Sequence, residues 1–142
     1  MDNPLPIPPR FQERLDSLGL EFEAEFYGAE THRHPSNLDA LVELGHVYTR
    51  MRRYGEGLQV DEELARLLPE NATVQYNLAC SLALMGRIDP ALDALERAVG
   101  LGYDDADHLL EDEDMRALRN EPRLRELMRL MERVPADPPQ GG

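Results

Sequence analysis

The feature that most constrains this chain is a spacing. Pro69 lies 34 residues after Pro35, and Tyr103 lies 34 residues after Pro69. Between these marks the side chains recur. Leu44, Gly45, Tyr48 and Gly57 in one stretch correspond to Leu78, Ala79, Leu82 and Ala91 in the next. A period of this length belongs to stacked helix-turn-helix units. Each unit is too small to bury its own apolar face, so about three must stack for stability.

The apolar pattern is helical wherever it is periodic, and no stretch alternates as a strand does. The spacing predicts helices over about Arg10–Ser17, Leu20–His32, Leu38–Met51, Tyr54–Leu68, Ala72–Met85 and Pro90–Val99. Shorter helices follow over Ala106–Leu110, Asp114–Arg119 and Pro122–Arg133. Gly19 and Gly86 are read as stops. Asn37 or Ser36 caps the third helix, Asp89 caps the sixth with Pro90 at its first position, and Asp105, Glu113 and Asn120 cap the last three. Residues 1–9 carry four prolines and are expected to run extended; residues 135–142 are Pro- and Gly-rich and are expected to be disordered.

Two helical units with Leu41, Leu44-Gly45, Tyr48, Gly57 and Pro69, and then Leu78-Ala79, Leu82, Gly86, Ala91, Leu95 and Ala98, resemble the tetratricopeptide repeat. The tail His108-Leu109-Leu110, Asp114-Met115, Leu118-Arg119 and Pro122-Arg123-Leu124 resembles the capping end of many bacterial proteins of that family. The resemblance implies an all-α, right-handed superhelix of helix-turn-helix units with a C-terminal capping region. It divides the chain into a degenerate repeat 10–37 with its turn at Leu18-Gly19-Leu20, repeats 38–71 and 72–105, and capping helices 106–134. Small residues are needed where paired helices cross, so Gly45 should face Gly57 and Ala79 should face Ala91. Gln75 stands where the family usually has Trp, and Tyr103 where it closes with Pro. Asp61 takes the place of a large apolar residue. A slight rotation of its helix is expected to carry Asp61 to water and turn Leu58, Leu64, Leu67 and Leu68 inward, because an unpaired buried carboxylate is costly.

The resemblance also implies function: a non-enzymatic module that binds a peptide or protein segment in a concave groove. The positions that line such a groove are Asp39, Val42, Glu43, His46, Thr49 and Arg50 in one unit, and Thr73, Tyr76, Asn77, Cys80, Ala83 and Leu84 in the next. Val42, His46 and Arg50 fall on one side of a helix, as do Tyr76, Cys80 and Leu84. Tyr76 is read as an aromatic anchor and Asn77 as a partner for ligand backbone. The carboxylate clamp of the chaperone-binding subclass is absent: only Asn77 matches, while Val42 and His46, and Asp107 and Glu111, occupy the other clamp positions. The alternative is self-assembly into a homodimer or larger oligomer with no separate ligand.

Charge and composition narrow the partners. The net charge of −13 opposes binding to nucleic acid or to an anionic membrane and favours neutral or basic protein partners. All 15 basic residues are Arg, which removes a Schiff-base or phosphate-loop lysine. The single cysteine, Cys80, excludes an internal disulfide and any cysteine-rich zinc site, and it reads as a small packed hydrophobe. The start Met1-Asp2-Asn3-Pro4 does not read as a secretory leader, so the expected compartment is the cytoplasm. His32, His34 and Glu30 lack metal-site spacing, and the acidic run from Asp104 to Asp114 lacks the spacing of a calcium loop. No metal, cofactor or catalytic constellation is expected.

Overall fold

The structure, a computed structural model, describes residues 6–133. The expected disordered tail, 135–142, lies outside them. The described residues form seven α-helices and one 3-10 helix and contain no strand. The all-α helical-repeat class read from the sequence is therefore the class the chain adopts. It divides into two compact units, Met1–Val60 and Asp61–Gly142.

The first unit contains α1 (Pro9–Arg33), α2 (Leu38–Arg50) and the start of α3 (Tyr54–Leu67). Helix α1 is one continuous helix, so the turn expected at Leu18-Gly19-Leu20 does not form. A lone glycine costs a helix only about 1 kcal/mol, and no proline follows to enforce a stop. Leu20, Ala24, Tyr27 and Thr31 make up its half-buried side, and α1 packs against α2. Asn37 caps α2, its side-chain oxygen accepting from the Ala40 amide at 3.2 Å. Ala40, Leu44, Gly45 and Val47 form the buried stripe of α2. Gly57 on α3 meets that stripe. A β-carbon placed on Gly57 would lie 3.8 Å from the Gly45 carbonyl oxygen and 3.5 Å from Thr49 Oγ1. The two glycines face each other, as the repeat requires.

The second unit contains the rest of α3, then α4 (Ala72–Leu84), α5 (Ile88–Gly100), α6 (Ala106–Glu111), the 3-10 helix Glu113–Leu118 and α7 (Pro122–Arg133). Helix α4 lies at its centre, packed against both α5 and the 3-10 helix. Nine of its thirteen residues are therefore buried, and the usual one-sided pattern is lost. Ala79 and Ala91 are fully buried in the paired helices α4 and α5. Helix α7 packs on α5, and Arg123 reaches Asp93 at 2.8 Å and Glu96 at 3.1 Å.

The helix ends repeat as closely as the cores. After α2, Arg52 takes the left-handed conformation (φ 60°) and the Arg53 amide donates to the Tyr48 carbonyl at 2.8 Å. After α4, Gly86 does the same (φ 73°) and the Arg87 amide donates to the Leu82 carbonyl at 2.9 Å. This is one C-terminal closure made twice.

Several sequence expectations are corrected. Helix α5 begins at Ile88, so its N-cap position is Arg87 rather than Asp89, and Pro90 sits inside the first turn, where its missing N–H has no helical partner to lose. Glu113 begins a 3-10 helix that Asp112 caps, its side chain accepting from the Asp114 amide. Leu67 is exposed, while Leu58 and Leu64 are buried. Asp61 does not reach water. It is buried, and Ser81 on α4 donates a hydrogen bond to its carboxylate. That hydroxyl supplies the partner that the sequence pattern did not reveal.

Candidate partner-binding faces

The solvent side of α2 is set by its own buried stripe. With Ala40, Leu44 and Val47 turned inward, Asp39, Glu43, His46 and Arg50 are turned outward and exposed. Val42 and Thr49 are half-buried beside them, and Thr49 returns its hydroxyl to the Gly45 carbonyl at 3.1 Å. Arg50 also pairs with Glu23 of α1 at 2.7 Å. Both side chains are exposed, so this pair contributes little and is easily exchanged for a ligand carboxylate. Along the helix the face is acidic at Asp39 and Glu43 and cationic at Arg50. A separate open hollow of about 530 Å³ in the first unit is lined by Glu21, Ala24, Glu25, Tyr48, Met51 and Arg53.

Helix α4 is different. Thr73 is exposed and Asn77 and Leu84 are half-buried, but Tyr76, Cys80 and Ala83 are buried. The Tyr76 ring stacks on Tyr103 with centroids 4.4 Å apart, and its hydroxyl donates to Asp112 Oδ2 at 2.7 Å. Cys80 lies 3.7 Å from the same oxygen, and His108 Nε2 lies 3.6 Å from it. Asp112 thus ties the start of the 3-10 helix to two side chains of α4, while its other oxygen caps that helix. The side of α4 that carries Tyr76 and Cys80 is covered by the chain's own later residues.

Electrostatics follow from that burial. The Tyr76 hydroxyl is pushed well above its ordinary range by burial and by its hydrogen bond to Asp112. Burial, with Asp112 and Asp114 nearby, likewise pushes the Cys80 thiol up. It is a protonated, packed group and not a nucleophile. Asp114 is raised by burial and by its acidic neighbours Asp112 and Glu113. Cys80, Asp112 and Asp114 bring one ligand atom each within 4.8 Å of one another. Three groups of this kind could hold a cation, but the hydrogen bonds to Asp112 already account for its position.

Two features escaped the sequence. The cluster around Asp112 joins residues more than 30 positions apart, and nothing local signals it. The second is an exposed apolar stripe on α1, comprising Phe11, Leu15, Leu18, Phe22 and Phe26. Its spacing was available in the sequence, but it becomes continuous only once Gly19 is read as helix interior.

Gln75, buried on α4, is held by two hydrogen bonds. Its Nε2 donates to the Pro69 carbonyl at 3.0 Å, and its Oε1 accepts from Arg97 at 3.1 Å. No protein-family model matches the chain. A stretch of 65 residues, 46% of the chain, is 34% identical to the Cell division cycle protein 16 homologs of Homo sapiens and Mus musculus and covers 10% of each. A stretch covering 51% of the chain is 32% identical to a chloroplastic protein of Arabidopsis thaliana, over 22% of that protein. The chain thus spans between about a tenth and about a fifth of the length of these curated relatives. Among the described residues no helix is long and apolar enough to cross a membrane.

Proposed function

We propose that this chain is a cytoplasmic, non-enzymatic protein-protein interaction module of the tetratricopeptide repeat type. It takes a neutral or basic peptide or protein segment on the outward face of α2; the accessible side chains of α4 are a separate contact surface of the second unit. One observation carries the reading: Asp39, Glu43, His46 and Arg50 stand exposed in a row on α2, a helix otherwise committed to packing. The matching glycines at 45 and 57, the repeated helix closures at Arg52 and Gly86, and the partial similarity to the Cell division cycle protein 16 homologs support the family assignment.

In this reading Thr73, Asn77 and Leu84 are the accessible contacts of α4, and Val42 and Thr49 complete the face of α2. Tyr76 and Cys80, engaged with Asp112, hold the α4 backbone in place. Binding is equilibrium recognition in which no bond is made or broken. Asp39 and Glu43 favour a ligand with a basic residue at that end, and such steering weakens as salt rises.

The test is capture of a partner from the native cell by tagged chain, followed by titration of the purified partner. Asp39→Arg with Glu43→Arg alters two exposed side chains and should leave helicity unchanged. Affinity for the partner should fall about tenfold or more. Unchanged affinity would remove α2 from the binding surface.

A further inference from the structure

Helix α1 has two apolar sides. At about 100° per residue, Leu20, Ala24, Tyr27 and Thr31 lie on one side, the half-buried side of a helix packed against α2. Phe11, Leu15, Leu18, Phe22 and Phe26 lie on the opposite side within an arc of about 80°. Their exposures run from 52% at Leu18 to 70% at Phe22. A surface helix that serves only its own core shows a single apolar stripe. The spacing of Phe11, Leu15, Leu18 and Phe22 alternates four and three residues, which is the seam spacing of paired helices.

We propose that this stripe is the contact between two copies of this chain, with their α1 helices paired antiparallel about a twofold axis. The inference goes beyond the partner-binding reading and uses none of its residues. The charges beside the stripe choose both the occupant and its direction. Arg14 and Glu21 flank the same edge of the seam, one heptad apart, and among the described residues neither makes an ion pair. When two such helices run antiparallel with Phe11 layered against Phe22 and Leu15 against Leu18, Arg14 of each copy lies beside Glu21 of the other. When they run parallel, Arg14 faces Gly19 and Glu21 faces Phe26, and no pair forms.

The area is sufficient. With each exposed aromatic giving on the order of 100 Å² and each leucine somewhat less, two copies bury about 1,000 Å² in total, the lower bound for a specific interface. The net charge of −13 on each copy opposes association. At physiological salt, however, the Debye length of about 8 Å confines that repulsion to near neighbours. The acidic surface also disfavours an anionic bilayer as the cover for this face.

Sedimentation equilibrium of the full chain from about 1 to 200 µM covers the range in which interfaces of this size associate. A dimer is expected. Phe22→Glu should give a monomer with an unchanged far-UV spectrum, since the side chain faces solvent in the single copy. Arg14→Glu or Glu21→Arg alone should weaken the dimer about tenfold, and the double exchange should restore it. A monomer throughout the range overturns the proposal and leaves the stripe to a different protein. A dimer indifferent to Phe22→Glu or to the charge exchanges also overturns it, because the contact is then elsewhere or parallel.

Discussion

Ser81 donates its hydroxyl hydrogen to the carboxylate of Asp61, and both side chains are buried in the second unit. Burial raises the Asp61 carboxyl from 3.8 to about 6, with the Ser81 hydrogen bond pulling the other way. A folded-state value above the unfolded one means that the native state holds this proton more tightly. The stabilisation from Asp61 is therefore complete below about pH 4 and is lost as pH rises through about 6, a loss of about 3 kcal/mol. Asp61→Asn should match the parent near pH 4 and exceed it by about 1–3 kcal/mol at pH 8. Urea unfolding of both proteins at the two pH values checks the sign, since other groups cancel in the difference.

Gly57 is small, but its surroundings leave room for one methyl group. Every atom near a β-carbon at that position is 3.5 Å away or more. Gly57→Ala should stabilise the chain by about 0.5–1 kcal/mol through its helix preference. Gly57→Leu should destabilise it by about 2 kcal/mol or more, because the added atoms must displace the facing helix. Thermal unfolding of the two variants separates these outcomes.

Arg52 adopts a left-handed conformation that glycine holds at the equivalent position, Gly86. Arg52→Gly should raise stability by about 1 kcal/mol. The reverse change, Gly86→Arg, should cost a similar amount. The pair forms an internal control for the repeat, and chemical denaturation reads both.

Tyr76 and Tyr103 stack, yet their hydroxyls differ. That of Tyr76 donates to Asp112, whereas that of Tyr103 is buried without a partner among the described residues. Tyr76→Phe should cost about 1.5–3 kcal/mol, the range for a hydrogen bond to a charged group. Tyr103→Phe should be neutral or slightly stabilising. Equal costs from the two changes would contradict the assignment of Asp112 as the group that secures the 3-10 helix.

Much of this fold was legible because its signals are local and repeated. Asn37 announces the start of α2, Gly86 the end of α4, and Gly45 and Gly57 the crossing of α2 and α3, each by its own backbone or size requirement. The misreadings arose where a local preference met a tertiary one. Gly19 suggested a stop, but nothing opposes helix continuation there, and the exposed stripe was split by that reading. Asp61 suggested a helix turned to water because its partner, Ser81, lies 20 residues away. The outward faces of α2 followed from helix periodicity alone. The covering of Tyr76 and Cys80 depended on where Asp112 lands, which no local pattern encodes.

The central claim is that a partner is held on the exposed row of α2, Asp39, Glu43, His46 and Arg50. Hydrogen exchange of the chain, free and with its purified partner, tests this most directly. The account predicts added protection across residues 39–50 on binding. Protection confined to α5 or α7, with α2 unchanged, would contradict it.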